Sequence, residues 1–264
     1  MEETATFASM KDLTIKKVET KRTMNDFVRF SEIIYKDCLY YVPDLEMDIR
    51  NMFNPKKNAG LECSEIQAFV AYDSRKFPVG RIAGIINHRA NKKWKTHNVR
   101  FGLFDFVDDL EVSSALLEAV IQWGKERGMT VIQGPMGITD FDKEGMLIED
   151  FDMLGSMNTY YNHAYYPRHM EVLGYEKEVD WVQIRIQIPQ EIPAKYERVA
   201  KLSREMFNLK VKKLTEKDVT LYNYGYKIFN LLNLSYSPIF GFSEFSERQI
   251  DGLVKQYLRL IDKR

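Results

Sequence analysis

Cysteine is nearly absent: Cys38 and Cys63 are the only two in 264 residues. Their spacing matches neither a zinc motif nor a disulfide framework, which fits a reducing, cytoplasmic compartment. Net charge is missing as well. Lysine plus arginine equals aspartate plus glutamate at 38 each, so the overall field favours neither nucleic acid nor an anionic membrane. No run approaches the roughly 18 apolar residues of a membrane span. The polar opening Met1-Glu2-Glu3-Thr4 lacks the features of a signal peptide. Histidine is scarce, and His163 and His169, six positions apart, do not share one helical face as a zinc pair would. No serine sits on a nucleophile-elbow motif. The expectation is a cytoplasmic protein with no metal, nucleic-acid or membrane partner.

What is present is a core: hydrophobic residues make up 45% of the chain, an ordinary fraction for a globular domain. Residues 1–12 read as a disordered leader. Leu13–Val18 alternates as a strand, Met24–Leu39 has helical periodicity, and Pro43 opens a second helix to about Phe53. Ile66–Asp73 and Pro78–His88 flank the polar Ser74-Arg75-Lys76 and form a hairpin. After the loop Arg89–His97 come strand Asn98–Val107, helix Asp109–Arg127 closed by Gly128, and strand Thr130–Gly134. Pro135–Asn162 is a long irregular connection, of the kind that is usually functional or disordered. A helix, His163–Leu173, and a strand region, Glu178–Ile188, complete a first domain over residues 13–190.

Beyond Pro193 the pattern begins again. Leu209–Leu214 echoes Leu13–Val18, and two helical stretches follow, Val219–Leu234 and Phe245–Ile261. Residues 195–264 thus read as an incomplete second copy (strand, helix, helix) that stops where the first would enter its hairpin. The expectation is a natural chain that continues. The apolar helices of this copy must pack on the first domain, remain partly exposed, or form a homodimer through residues 195–264.

The strand–turn–helix unit at Asn98–Gly134 has the layout of an anion cradle, in which backbone N–H groups at a helix start meet a phosphate. Its turn, Phe106-Val107-Asp108-Asp109-Leu110-Glu111, has no glycine and three carboxylates. Asp108 and Glu111 have capping-box spacing. A carboxylate about 6 Å from a phosphate charge costs roughly 0.7 to 3 kcal/mol at dielectrics of about 80 to 20.

The motifs Pro78-Val79-Gly80-Arg81-Ile82, Leu116-Leu117-Glu118-Ala119 with Trp123 and Gly128-Met129, and Tyr165-Tyr166-Pro167 with Leu173-Gly174-Tyr175 resemble the GNAT superfamily of acyl-CoA N-acyltransferases. Gly134-Pro135-Met136, Glu144–Glu149 and Tyr160–Pro167 are similar to an uncharacterised bacterial tandem GNAT-like group. The resemblance covers residues 13–188. It implies an α/β (α+β) fold, a mixed, mostly antiparallel sheet flanked by helices, with the helical start of a second similar half. It also implies N-acyl transfer from acetyl-CoA or another acyl-CoA to a small-molecule or peptide amine. Phe104, Phe106, Ser113 and Ser114 would then line the coenzyme, although the acidic turn argues against tight binding in this half. The tyrosine that commonly protonates the departing thiolate is replaced by Met170; Tyr166, one turn earlier on the same face, is either its catalytic substitute or a core or rim tyrosine.

The loop after Gly134 holds Asp140, Asp142 and Glu144. The resemblance places it where an amine acceptor would approach, so Glu144 or Asp142 could take the ammonium proton. The spacing is not that of a calcium loop. Tyr160, Tyr161, Tyr165 and Tyr166 either line a cleft or staple the loop to the sheet. The alternative to an enzyme is a GNAT-fold binding or scaffolding module that has lost its coenzyme.

Overall fold

The computed structural model describes residues 13–156 and 159–260; the leader read at residues 1–12 lies outside them. Five strands form one sheet in sequence order: β1 (Thr14–Lys17), β2 (Ser64–Tyr72), β3 (Pro78–Asn87), β4 (Asn98–Phe106) and β5 (Val131–Gln133). All neighbours are antiparallel except β4 and β5. This is the mixed, mostly antiparallel sheet that the sequence implied. Helices cover both faces. Helices α1 (Lys21–Ile34) and α2 (Glu46–Met52) lie on one side, and α3 (His88–Trp94) follows β3. Helix α4 (Leu110–Lys125) covers the other side together with α5 (Tyr165–Val172).

Alternation along the strands builds two cores. Ile82 and Ile86 face α4 with Phe69, Leu116, Val120 and Trp123. Ala83 faces α1 with Phe27, Val70 and Ile49. Gly80 lets α4 lie close on β3, because a Cβ there would stand 2.7 Å from Leu116 Cδ1.

A bulge in β4 sets the chemistry of the domain. Arg81 pairs with Asp105 and Ala83 with Gly102, so β4 carries one extra residue against β3. Leu103 absorbs it at φ 47°. Val99 and Phe101 face α4 before the bulge, and Phe104 and Phe106 face α4 after it. The extra residue therefore turns Asp105 to the α1 face, opposite Arg81.

Several expectations are corrected. The loop Arg89–His97 is largely helical, started by the Asn87 side chain accepting from Ala90 N. Glu178–Ile188 joins no ladder, although its pattern alternates; Val182, Ile184 and Ile186 are each at least three-quarters exposed. Leu209–Leu214 likewise forms no strand, for want of a sheet edge to pair with. The C-terminal region instead holds α6 (Ala194–Phe207), which was not anticipated, then α7 (Glu216–Thr220), α8 (Tyr224–Tyr236) and α9 (Glu247–Leu260). Its order is therefore helical throughout rather than strand, helix, helix.

Part of the apolar surface of α8, α9 and their connection packs on the first domain, whereas Leu231 and Leu234 stay exposed. Phe229, Phe242, Phe245 and Ile250 are buried together with Phe141 against them. Trp94 Nε1 donates to the Phe242 carbonyl at 3.0 Å, and Lys93 pairs with Glu244 at 2.8 Å.

Candidate functional site

The β4–β5 ladder ends at Arg100 and Gln133, whereas β4 runs on to Phe106. Met136 N still donates to the Phe101 carbonyl at 2.7 Å, and the chain then leaves the sheet. The residues that follow close into a compact loop. Asp142 Oδ2 accepts from Thr139 N at 2.8 Å and from Thr139 Oγ1 at 3.3 Å. Gly137 permits this, since a Cβ there would lie 2.1 Å from Asp142 Cβ. Gly145 N donates to the Pro135 carbonyl at 2.9 Å, and Glu144 bridges Thr159.

This folding gathers Asp140, Asp142 and Glu144 around Arg100. The Arg100 guanidinium is spent on backbone, donating to the carbonyls of Gly137 at 3.1 Å and Gly241 at 2.9 Å. Burial pulls its pKa down. Asp140 and Asp142 are both raised, chiefly by burial. Glu144 goes furthest: burial first, then the Asp140 carboxylate, lift it from 4.5 to about 8. Its Oε1 is the one buried side-chain polar atom without a hydrogen-bond partner among the described residues. Of the two carboxylates singled out in the sequence, Asp142 is committed to its turn and Glu144 is free. Tyr160 lies beside this group, its hydroxyl against the backbone of Leu103 and its ring 6.0 Å from Lys143 Nζ.

The sign of the Glu144 shift fixes a stability prediction. The folded state keeps a proton that the unfolded chain releases near pH 4.5, so this contribution is complete below that pH and is lost as pH rises to about 8. Each tenfold step in ionisation is about 1.4 kcal/mol. The loss is therefore on the order of 5 kcal/mol at most. In thermal melts from pH 5 to 8.5, Tm should fall by several degrees more in the parent than in Glu144→Gln, which has no proton to lose. Parallel curves would contradict the assignment.

Tyr166 lies elsewhere. Its hydroxyl is within 3.0 Å of the Tyr35 hydroxyl and 3.3 Å of Asp105 Oδ1, and it accepts from Phe106 N at 3.2 Å. Asp105 also accepts from Arg81 Nε at 2.8 Å and Nη2 at 2.7 Å, and from Tyr35 at 2.8 Å. Burial holds the phenols of Tyr35 and Tyr166 well above their usual pKa. Tyr161 donates to the Phe151 carbonyl at 2.8 Å and Tyr165 to that of Phe106. Tyr165 and Tyr166 thus hold α5 to β4, Tyr160 ties the loop to the backbone of β4 at Leu103, and Tyr161 closes the loop on itself.

At the β4–α4 turn, the cap is Asp109 rather than Asp108. Asp109 Oδ1 accepts from Glu111 N at 2.8 Å. Asp108 Oδ1 lies 2.9 Å from His169 Nε2, and His169 Nδ1 lies 2.9 Å from Ser113 Oγ. Phe104 and Phe106 are core residues and Ser113 is buried; of the four positions inferred for a coenzyme, Ser114 alone is exposed.

The sequence pointed to Glu144, Asp142 and Tyr166, of which Tyr166 lies in the separate Asp105 network, and it missed Arg100, Arg81, Asp105 and Tyr35. A lone charge inside each apolar strand segment, Val99-Arg100-Phe101, Gly80-Arg81-Ile82 and Phe104-Asp105-Phe106, was the available signal. No group of metal-binding side chains occurs among the described residues.

No family model matches the chain. Protein YghO of Escherichia coli is 31% identical over 167 residues, covering 62% of this chain and 42% of that protein. The bacterial ceramide synthase of Caulobacter vibrioides is 24% identical over 265 residues, 96% of this chain and 65% of that protein. The chain thus matches less than two thirds of each relative's own length. Among solved structures, a "predicted acetyltransferase with acetyl-CoA" from Clostridium acetobutylicum aligns with 66% of this chain and 96% of its own at 11% identity and TM-score 0.37. A tandem GNAT protein from the clavulanic acid pathway aligns with 46% of this chain and 35% of its own at 10% identity and TM-score 0.37. No helix among the described residues is long and apolar enough to cross a membrane.

Proposed function

We propose that this chain has the fold and chemistry of an N-acyltransferase, joining an acyl group from a thioester donor to a primary amine, with Glu144 as the base. The observation that carries this reading is the Glu144 carboxyl, buried, unpartnered at Oε1 and raised to about 8. A base of that strength is matched to an ammonium group near neutral pH. An incoming ammonium favours the carboxylate form of Glu144 and yields its proton to it. The freed nitrogen attacks the thioester carbonyl, a C–N bond forms, the C–S bond breaks, and the nitrogen's second proton passes to the departing thiolate. Tyr166, enclosed among Asp105, Tyr35 and Phe106, serves in this reading to position β4 and α5. The name of the Caulobacter relative supports the acceptor class, because ceramide is the amide of a long-chain amino alcohol. The acceptor proposed here is a long-chain amine.

An acyl-CoA donor meets a turn that is already capped. Asp109 occupies a helix N–H that a phosphate would use, and the Asp108 carboxylate stands beside it. Repulsion of roughly 0.7 to 3 kcal/mol per carboxylate removes much of the ~8 kcal/mol of micromolar affinity. Calorimetric titration with acetyl-CoA should therefore give a Kd weaker than about 100 μM, whereas low-micromolar binding would refute this view of the turn. The same turn favours a second reading, a coenzyme-free binding module. Amide formation from an acyl thioester would exclude that reading.

A further inference from the structure

Two loops beside Glu144 are built alike. The segment between α1 and α2 exposes Leu39 (87%), Val42 (62%) and Leu45 (67%). The segment after Glu144 exposes Ile148 (52%), Met153 (45%) and Leu154 (65%). The loops are stitched side by side. Lys143 Nζ meets Asp44 Oδ1 at 2.6 Å, the Tyr41 and Tyr161 rings are 6.4 Å apart, and Tyr161 holds the Phe151 carbonyl. Tyr41 in turn stacks on Tyr35 at 4.2 Å, which anchors the first loop to the sheet through Asp105. Large apolar side chains thus stand in water on anchored loops, an arrangement that marks an interaction surface.

We propose that the rim formed by these loops docks on a lipid bilayer, so that Glu144 can meet a long-chain amine held in the membrane. The charges around the rim select the kind of surface. Asp37, Glu149, Asp150 and Asp152 are exposed there against one exposed lysine, Lys36, and Lys143 is already paired with Asp44. These carboxylates repel anionic lipid and attract ammonium heads. The occupant that fits is an uncharged or zwitterionic bilayer carrying cationic amphiphiles, with chains among the rim residues and heads toward Asp140 and Glu144. This revises the sequence expectation of no membrane partner, which rested on charge balance and on the lack of an apolar run long enough to span a bilayer. The amine's identity rests on the acyl-transfer reading; the docking itself does not.

The test is co-flotation of the protein with vesicles of phosphatidylcholine, of phosphatidylcholine with hexadecylamine, and of phosphatidylcholine with phosphatidylglycerol. The parent should float with the first, more with the second and least with the third. Leu39→Ser/Leu45→Ser and Ile148→Ser/Leu154→Ser should each lower the bound fraction at least tenfold with unchanged thermal unfolding, since all four side chains are more than half exposed. Ile184→Ser/Ile186→Ser, on the exposed apolar stretch after α5, should float like the parent. A parent that does not float, rim variants that float normally, preference for phosphatidylglycerol, or loss of flotation in the 184/186 variant would each overturn the proposal. Flotation needs no turnover. A protein inert in acyl transfer that floats still supports the surface, and an active one that does not float contradicts it.

Discussion

Asp105→Ala is expected to destabilise the protein by about 3–5 kcal/mol in urea or guanidinium unfolding, the scale for breaking a buried ion pair from one side. The Arg81 side chain is 3% exposed and that of Asp105 11%. Arg81 takes Asp105 Oδ2 through two nitrogens and gives its remaining Nη1 to the Phe27 carbonyl at 2.9 Å. Without the carboxylate, a buried guanidinium and the Tyr35 hydroxyl both lose their acceptor. The double variant Arg81→Met/Asp105→Leu removes both charges and should recover much of that loss, because a buried pair replaced by apolar residues is often nearly neutral. If Asp105→Ala costs less than about 1 kcal/mol, the network does not hold β4 to α1 as described.

The largest expected effect on activity is that of Glu144→Gln. The amide is nearly isosteric and cannot accept the ammonium proton. General-base catalysis contributes typically 10²–10⁴-fold, and kcat/KM for amide formation should fall by that factor. Asp142→Asn should cost far less, because Asp142 acts on its own turn through Thr139. Equal losses in the two variants would move the base away from Glu144.

Much of this domain was legible in the sequence because its signals are local. The hairpin between β2 and β3, the strand–turn–helix unit and the Gly128 stop all rest on turn chemistry and periodicity. Glu144 was legible for a similar reason, as one of six acidic residues in a long loop. What was not legible depends on partners distant in sequence. The alternation of Glu178–Ile188 and Leu209–Leu214 fits a strand, yet a strand exists only where an edge accepts it, and neither segment has one here. The bulge at Leu103 cannot be read from Gly102-Leu103-Phe104, and it decides that Asp105 meets Arg81 and Tyr35. Asp108 looked like the cap at the right spacing; His169, 61 residues away, claims it, and Asp109 caps instead. The role of Arg100 likewise required the fold, because its second acceptor is the carbonyl of Gly241.

The central claim is that Glu144 accepts the amine's proton in acyl transfer. The pH dependence of kcat/KM for amide formation from a fatty acyl thioester and a long-chain amine, followed by mass spectrometry of the product, tests it most directly. The account predicts a rate that climbs about tenfold per pH unit and levels near pH 8, where Glu144 ionises. A profile flat between pH 6 and 9 (roughly the span of that titration), or no amide product at any pH, would contradict it.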